Sequence, residues 1–439
     1  MNRLLTSIAC CALVISLGAF QLLAQDGGVT KRKVPADPDA EALNRLLTAA
    51  QDAMDQKDYE TAAQNYQDYL AKKPDDAIVH YDLGYAYTAM KRPSDAKAEY
   101  EKAISLDDKM APAYLNLGLT LLESDPGAAV DPLQHAADLT PDQAEPKFLL
   151  GTALERSGTL APAIEQYQAA EKLGDKDFDL HFSLGRALLA YNRPADAEPE
   201  FRAALALRPN AADAHLGLAQ TLIAEKKSDA GAVELNAYLQ SHPNDSRARV
   251  EHASLLVDQG KNDDALAELD RAATVGTEDL RALKLRAQIY FAKKQFDKAV
   301  PVLQKATAMA PQDVNVHALL GHALLETKDY SGAVRELTVA NRLDPTANDV
   351  LNDLVGAEYS IGNYPTTLAI LDALSKREDL PAASWFIRGA CYDKLGQLAP
   401  ALDAYQKFLQ LNKDENSDMY FESASRVRTL KRELGDRKK

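Results

Sequence analysis

The sequence contains very little cysteine or tryptophan, with three Cys and one Trp in 439 residues. Cys10 and Cys11 lie in an apolar N-terminal stretch, so a chain cleaved after that stretch would keep only Cys391. A single thiol forms no bridge within one chain, and we expect Cys391 to be a buried core thiol. The fold must therefore be stabilised by side-chain packing and not by disulfides.

The chain also lacks the motifs of common enzymes. His-Glu-x-x-His, Gly-x-Ser-x-Gly and Gly-x-Gly-x-x-Gly do not occur, so we expect no catalytic residue, no cofactor and no metal ligand. The segment Asp175–Asp179 imitates the start of a calcium loop, but Leu180 replaces the turn glycine and Arg186 replaces the final glutamate. The formal net charge of −15 argues against nucleic acid and anionic membrane surfaces as partners.

The first 24 residues are typical of an export signal. Met1–Ala24 has Arg3 near its start, then a long apolar run, and ends in a small residue before the polar Gln25. This pattern predicts a signal peptide cleaved after Ala24. The alternatives are an uncleaved membrane anchor or lipidation at Cys10 or Cys11. Each of these predicts an exported protein, periplasmic or extracellular, whose only membrane contact is through the N-terminal segment.

A repeating unit of about two helices begins after a polar linker predicted over residues 25–42. Apolar residues at helical spacing recur in eleven units that fill residues 43–415. Successive units start 34 residues apart, except for one step of 33, at Leu43, Ala77, Ala111, Ala144, Phe178, Ala212, Ser246, Leu280, Val314, Asn348 and Ala382. In this frame we expect all twenty prolines to avoid helix interiors, where each would cost about 3 kcal/mol.

Residues 416–439 follow the last unit and are predicted to form a C-terminal capping helix and tail. The helix is expected over Asp418–Leu434, with an apolar face turned to the last unit. Its basic residues are expected to face solvent, and they are Arg426, Arg428, Lys431 and Arg432.

Five units have a Leu-Gly pair at the same place in the first helix, and several have an aromatic residue and a small residue at the second helix. Leu320-Gly321, Tyr330 and Ala333 show the pattern, which Pro345 ends. This unit resembles the tetratricopeptide repeat. The resemblance implies an all-α fold, an α-solenoid forming a right-handed superhelix of helix–turn–helix repeats. It departs at Gly231 and Thr367, which replace the small alanine, so we expect less regular packing there.

The resemblance also implies protein or peptide partners, which in this family bind a concave groove lined by first helices. Side chains at the fifth position of successive units, and one turn further on, form an apolar stripe that predicts such a groove, and they are Tyr81, Tyr85, Leu115, Leu119, Phe148 and Phe182. The alternative is that these side chains pack between neighbouring helices. The fourth position repeats histidine, and we interpret these residues as structural imidazoles in a packing slot, namely His80, His181, His215 and His317.

Taken together, the sequence favours an exported protein–protein interaction scaffold. It would dock segments of its partners along the concave face without catalysis. The alternative is an assembly or structural subunit of a cell-envelope complex, serving secretion, polysaccharide export or outer-membrane assembly. Such a subunit would bind folded partners permanently and would retain the N-terminal segment as an anchor.

Overall fold

The computed structural model describes residues 38–276 and 278–436, which are entirely α-helical apart from their connections. Within these ranges there is no strand, and no helix is both long and apolar enough to cross a membrane. The predicted signal peptide and residues 25–37 of the predicted linker lie outside the described residues. The helices are α1 Pro38–Asp55, α2 Tyr59–Leu70, α3 Ala77–Ala89, α4 Pro93–Leu106, α5 Ala111–Leu122, α6 Pro126–Leu139, α7 Ala144–Arg156, α8 Leu160–Lys172, α9 Phe178–Ala190, α10 Pro194–Leu207, α11 Ala212–Ala224, α12 Ser228–Ser241, α13 Ser246–Asp258, α14 Asn262–Val275, α15 Leu280–Ala292, α16 Phe296–Met309, α17 Val314–Glu326, α18 Tyr330–Leu343, α19 Asn348–Ser360, α20 Tyr364–Ser375, α21 Ala382–Lys394, α22 Leu398–Leu411 and α23 Asp418–Asp436.

The helices form two compact units. The first unit ends at Ser157 and holds α1 to α7, and the second begins at Gly158 and holds α8 to α23. Within each unit the helices pack in chain order, since α3 packs on α4 and α4 on α5, and α17 packs on α18 and α18 on α19. Each unit is therefore an α-solenoid, and the prediction of an all-α solenoid fold is confirmed.

The repeat frame read from the sequence agrees with the helix boundaries. Ten first helices begin at the residue predicted as the unit start. Helix α1 is the exception, because it begins at Pro38, where proline suits a first helical position and Asp39 and Glu41 favour the helix N-terminus. Residues 38–42 are thus helical, and the predicted end of the linker at residue 42 is wrong.

A small residue in the second helix lets the two helices of a hairpin approach closely. Ala299 and Ala333 are fully buried at this position. Thr367 replaces the alanine and is also fully buried, but its hydroxyl donates a hydrogen bond of 2.9 Å to the carbonyl of Asn363 in its own helical turn. The polar atom is therefore satisfied locally, and the substitution is accommodated within the same hairpin.

The Leu-Gly pairs of the first helices mark a second close approach. A Cβ atom added to Gly321 would lie 2.5 Å from Cγ of Leu337, and one added to Gly84 would lie 2.8 Å from the ring of Tyr100. The glycine in the first helix thus leaves room for a large side chain from the second helix. Tyr100 and Leu337 are both fully buried in this space.

The turn inside a hairpin places one residue in the left-handed region of backbone space. Lys91 and Lys328 have φ angles of 57° and 65° there, and Gly260 occupies the same turn position with a φ of 73°. The unit that starts at Ala111 has no such residue in its described turn between α5 and α6. Its first helix has twelve residues where α3 has thirteen, and this accounts for its length of 33 residues.

The prolines correct one expectation. Pro132, Pro199 and Pro301 lie inside α6, α10 and α16, so the prediction that all twenty prolines avoid helix interiors is wrong. Each removes a hydrogen bond to the carbonyl four residues earlier. Those carbonyls belong to Ala128, Ala195 and Asp297, all exposed residues in or near first turns, where the freed carbonyl has access to solvent.

Helix α23 covers the end of the last hairpin, as expected for a cap. Leu430 is fully buried against α22 residues that include Tyr405. Arg426 was predicted to face solvent, and this is wrong. Its guanidinium donates to both carboxylate oxygens of Asp393, at 2.5 and 2.7 Å. This paired geometry fixes α23 on α21. Nearby, Cys391 is fully buried, and burial raises the pKa of its thiol to about 11, which confirms a core thiol.

Candidate interaction surface

Two tyrosines of the apolar stripe stand on α3 in the first unit. Tyr81 is half-buried: its ring centroid lies 5.9 Å from that of Tyr100, and its hydroxyl accepts a hydrogen bond of 3.1 Å from the side-chain amide of Asn116 on α5. Burial raises the pKa of Tyr81 above its ordinary value. Tyr85, one turn further along α3, is also half-buried. These aromatic side chains therefore keep part of their surface accessible while their positions are fixed by the neighbouring repeat.

The aliphatic and phenylalanine members of the stripe are half-buried as well. Leu115 and Leu119 on α5 and Phe148 on α7 pack against the core of the first unit without being enclosed by it. Phe182 belongs to the second unit, where it stacks on Phe178 with ring centroids 5.5 Å apart. Each side chain of the stripe thus packs partly against the core and is partly exposed. Its use as a peptide groove stays a prediction.

Asp82 is a charged group close to the tyrosines. Burial, and next to it the charge of Asp76, raise the pKa of the Asp82 carboxyl to about 6. Its charge in turn contributes to the raised pKa values of Tyr66 and Tyr81, after burial itself. An ionised carboxylate held partly out of water favours a positively charged ligand group.

The repeated histidines each pair with a glutamate on the second helix of the same hairpin. The Nδ1–carboxylate distances are 2.6 Å for His80–Glu99, 2.7 Å for His181–Glu200, 2.6 Å for His215–Glu234 and 2.7 Å for His317–Glu336. The interpretation as structural imidazoles in a packing slot is confirmed. The sequence analysis missed the glutamate partners, although each follows its histidine by nineteen residues.

The same slot is filled by other complementary pairs in other hairpins. Arg249 donates to Glu268 over 2.5 Å across the α13–α14 hairpin. Leu351 packs with Ile370 in an apolar cluster across the α19–α20 hairpin. In these hairpins the two positions are complementary in polarity, as expected for a contact between two packed helices.

One of these pairs has a further carboxylate beside it. One potential ligand atom from each of Glu171, His181 and Glu200 lies within 4.8 Å of the others. The three residues come from α8, α9 and α10, all in the second unit. The sequence analysis predicted no metal ligand, because it found no metal-binding motif.

A second surface feature of the second unit is a groove with a volume of about 1240 Å³ between α12, α13 and α14. His252 lines it and replaces the leucine of the Leu-Gly pair. Its Nδ1 atom is buried without a hydrogen-bond partner among the described residues, and burial lowers its pKa. The rest of the lining mixes lysines with acidic residues and the exposed Val233, so the groove has no dominant charge.

Comparisons with solved structures find helical repeat proteins. A crystal structure of MamA protein is 25% identical over 39% of this chain and 94% of its own, with a TM-score of 0.37. PilF from Pseudomonas aeruginosa is 21% identical over 48% of this chain and 96% of its own, with a TM-score of 0.38. YrrB, described as a TPR protein with an unusual peptide-binding site, is 20% identical over 51% of this chain and 98% of its own, with a TM-score of 0.32. No curated protein matches the sequence.

Family comparison gives the assignment. One tetratricopeptide repeat model matches residues 53–119, 188–255 and 290–352, and a second matches residues 250–314 and 352–416. These segments together span more than half of the chain. They coincide with the hairpins whose close approaches at glycine and alanine are described above. The chain belongs to the tetratricopeptide repeat family.

Proposed function

We propose that this chain is an exported scaffold that binds a peptide segment of a partner protein on the first-helix face of its first unit. Tetratricopeptide repeats imply protein or peptide partners, and their fold is typically a non-catalytic interaction scaffold. The observation that carries the site is the half-burial of the apolar stripe on α3, α5 and α7. Side chains of the stripe pack against the core of the first unit and still expose apolar surface to a ligand.

The chemistry of this face suggests the kind of segment that it takes. Tyr81 and Tyr85 supply aromatic surface, and Leu115 and Leu119 supply aliphatic surface one first helix further on. Asp82 adds a carboxylate that is poorly solvated. We therefore infer a partner segment with apolar side chains and at least one Lys or Arg placed to reach Asp82.

Two single substitutions on α3 test this proposal. Tyr85→Glu places a charge in the stripe, whereas Ile78→Glu makes the same kind of change at a residue of the same helix that is 64% exposed. A tagged full chain and both variants are expressed in the native cell and purified, and the bound proteins are quantified by mass spectrometry. A partner retained by Ile78→Glu and lost by Tyr85→Glu is the expected result.

The same purification distinguishes the proposal from its alternative. A synthetic peptide from the captured partner should displace it from the wild-type chain if the stripe is a peptide groove. A partner that survives in Tyr85→Glu, or that no peptide displaces, would overturn the proposed site. Stable purification with several subunits would instead favour an assembly or structural subunit of a cell-envelope complex.

Export is proposed on the residues of Met1–Ala24 alone. The purified chain should begin at Gln25 if the signal is cleaved, and intact-mass measurement reads this directly. A chain that begins at Met1 and fractionates with membranes would fit the anchored form. A chain with Met1 in the soluble cytoplasmic fraction would refute export.

A further inference from the structure

The His181–Glu200 pair differs from the other histidine–glutamate pairs in having an additional carboxylate, that of Glu171. Glu171 lies ten residues before the histidine. The equivalent places before the other paired histidines hold Leu70, Leu205 and Thr307. The chain therefore contains its own controls, namely the same structural pair without a third ligand.

The second nitrogen of the imidazole differs as well. Nε2 of His80, His215 and His317 lies 2.9, 3.0 and 3.2 Å from a proline carbonyl six residues earlier. Asp175 occupies that place before His181. In the part of the chain that the structure describes, Nε2 of His181 makes no hydrogen bond of this kind. This imidazole is 8% exposed, so its second nitrogen is both shielded and available to a ligand.

The burial of the three side chains also favours a cation. Glu171 and Glu200 are both half-buried, and their ligand atoms lie close to that of the buried His181. Two carboxylates thus share one imidazole in partial shelter from water, and a divalent ion would compensate their charge.

We propose that Glu171, His181 and Glu200 bind a divalent transition-metal ion of the zinc class. One imidazole nitrogen and two carboxylate oxygens are a donor set that suits Zn²⁺. Ligand atoms at about 2.1 Å from a tetrahedral zinc ion lie roughly 3.4 Å apart. The three ligand atoms, all within 4.8 Å of one another, are already close to that spacing.

Three protein ligands leave a fourth tetrahedral position open. Water fills that position in the isolated protein, and a carboxylate or imidazole from a bound protein fills it in a complex. The site would then add a metal-dependent contact in the second unit that is independent of the apolar stripe in the first. Its ligands are held by three successive helices, so binding would also fix α8 relative to the α9–α10 hairpin.

Zinc titration of the purified untagged chain by isothermal calorimetry tests the site. Wild type should bind one equivalent of Zn²⁺ that Glu171→Gln weakens at least tenfold. The matched control is Glu234→Gln, which removes the carboxylate from the His215 pair, beside which no third ligand atom was found among the described residues. Circular dichroism of all three proteins checks that they are folded.

Each outcome decides the proposal. A loss of affinity in Glu171→Gln with unchanged binding in Glu234→Gln supports the site. Equal binding by wild type and Glu171→Gln overturns it, and so does an equal loss in both variants, which would point to zinc on ordinary histidine–glutamate pairs. No heat of binding in the wild type also overturns it.

Discussion

Substitution of Gly321 by alanine sets two effects of opposite sign against each other. Alanine in place of glycine within a helix normally stabilises by about 1 kcal/mol, because it reduces the backbone freedom of the unfolded chain. At Gly321, however, the new Cβ would lie 2.5 Å from Cγ and 2.7 Å from Cδ2 of Leu337. Leu337 is fully buried, so it must move within a packed core, at a cost of about 1–3 kcal/mol. We expect a net loss of stability of up to roughly 2 kcal/mol.

Gly356 supplies the matched control in the first helix of the next repeat. A Cβ atom there would meet only Leu325, at 3.7 Å, which is an ordinary van der Waals contact. Gly356→Ala should therefore stabilise by about 1 kcal/mol. The gain from helix propensity is common to both variants, so their difference, about 1–3 kcal/mol, measures the packing conflict alone.

A second control removes the partner. Leu337→Ala should itself destabilise by about 2–5 kcal/mol because it leaves a cavity. In that background the clash is gone, and adding Gly321→Ala should now stabilise. Repeat arrays do not unfold as one cooperative body, so the measurement is native-state hydrogen exchange of amides in α17 and α18. Equal stabilisation by Gly321→Ala and Gly356→Ala would refute the close approach, and so would an effect of Gly321→Ala that is the same with and without Leu337.

Most of the fold follows from local sequence. The unit starts at Val314 and Ala382 coincide with helix starts because a 34-residue period in small and apolar residues leaves one helical frame. The prediction that prolines avoid helix interiors failed at Pro199, because it counted the lost hydrogen bond without regard to solvent. The residue whose carbonyl loses its partner there, Ala195, is exposed, and solvent lowers the cost of the lost bond.

The candidate sites were less predictable because they depend on neighbours from other repeats. The sequence places Tyr81 on a first helix, but its hydroxyl accepts a hydrogen bond from Asn116, thirty-five residues away. The glutamates that pair with the histidines left a signal, a constant spacing of nineteen residues, which sequence analysis could have found. The approach of Glu171 to His181 left none, because it depends on how the connection between α8 and α9 folds.

Two further predictions concern single residues. Lys328→Gly should stabilise its hairpin by about 0.5–1 kcal/mol, because Lys328 has a φ of 65° and glycine adopts this region without strain. Native-state hydrogen exchange of amides in α17 and α18 measures the change, and a destabilised variant would refute strain at this turn. Asp82 has a folded-state pKa of about 6 against an ordinary value of 3.8, so the folded state binds its proton more tightly than the unfolded state does. Stability is then unaffected by this group below about pH 4 and falls by roughly 3 kcal/mol as pH rises through 6. Asp82→Asn removes that loss, so the stability advantage of the variant over wild type should grow between pH 4 and pH 7. Native-state hydrogen exchange of amides in α3 and α4 measures it, after correction for the pH dependence of intrinsic exchange. A difference that stays constant with pH would mean that the carboxyl is solvated.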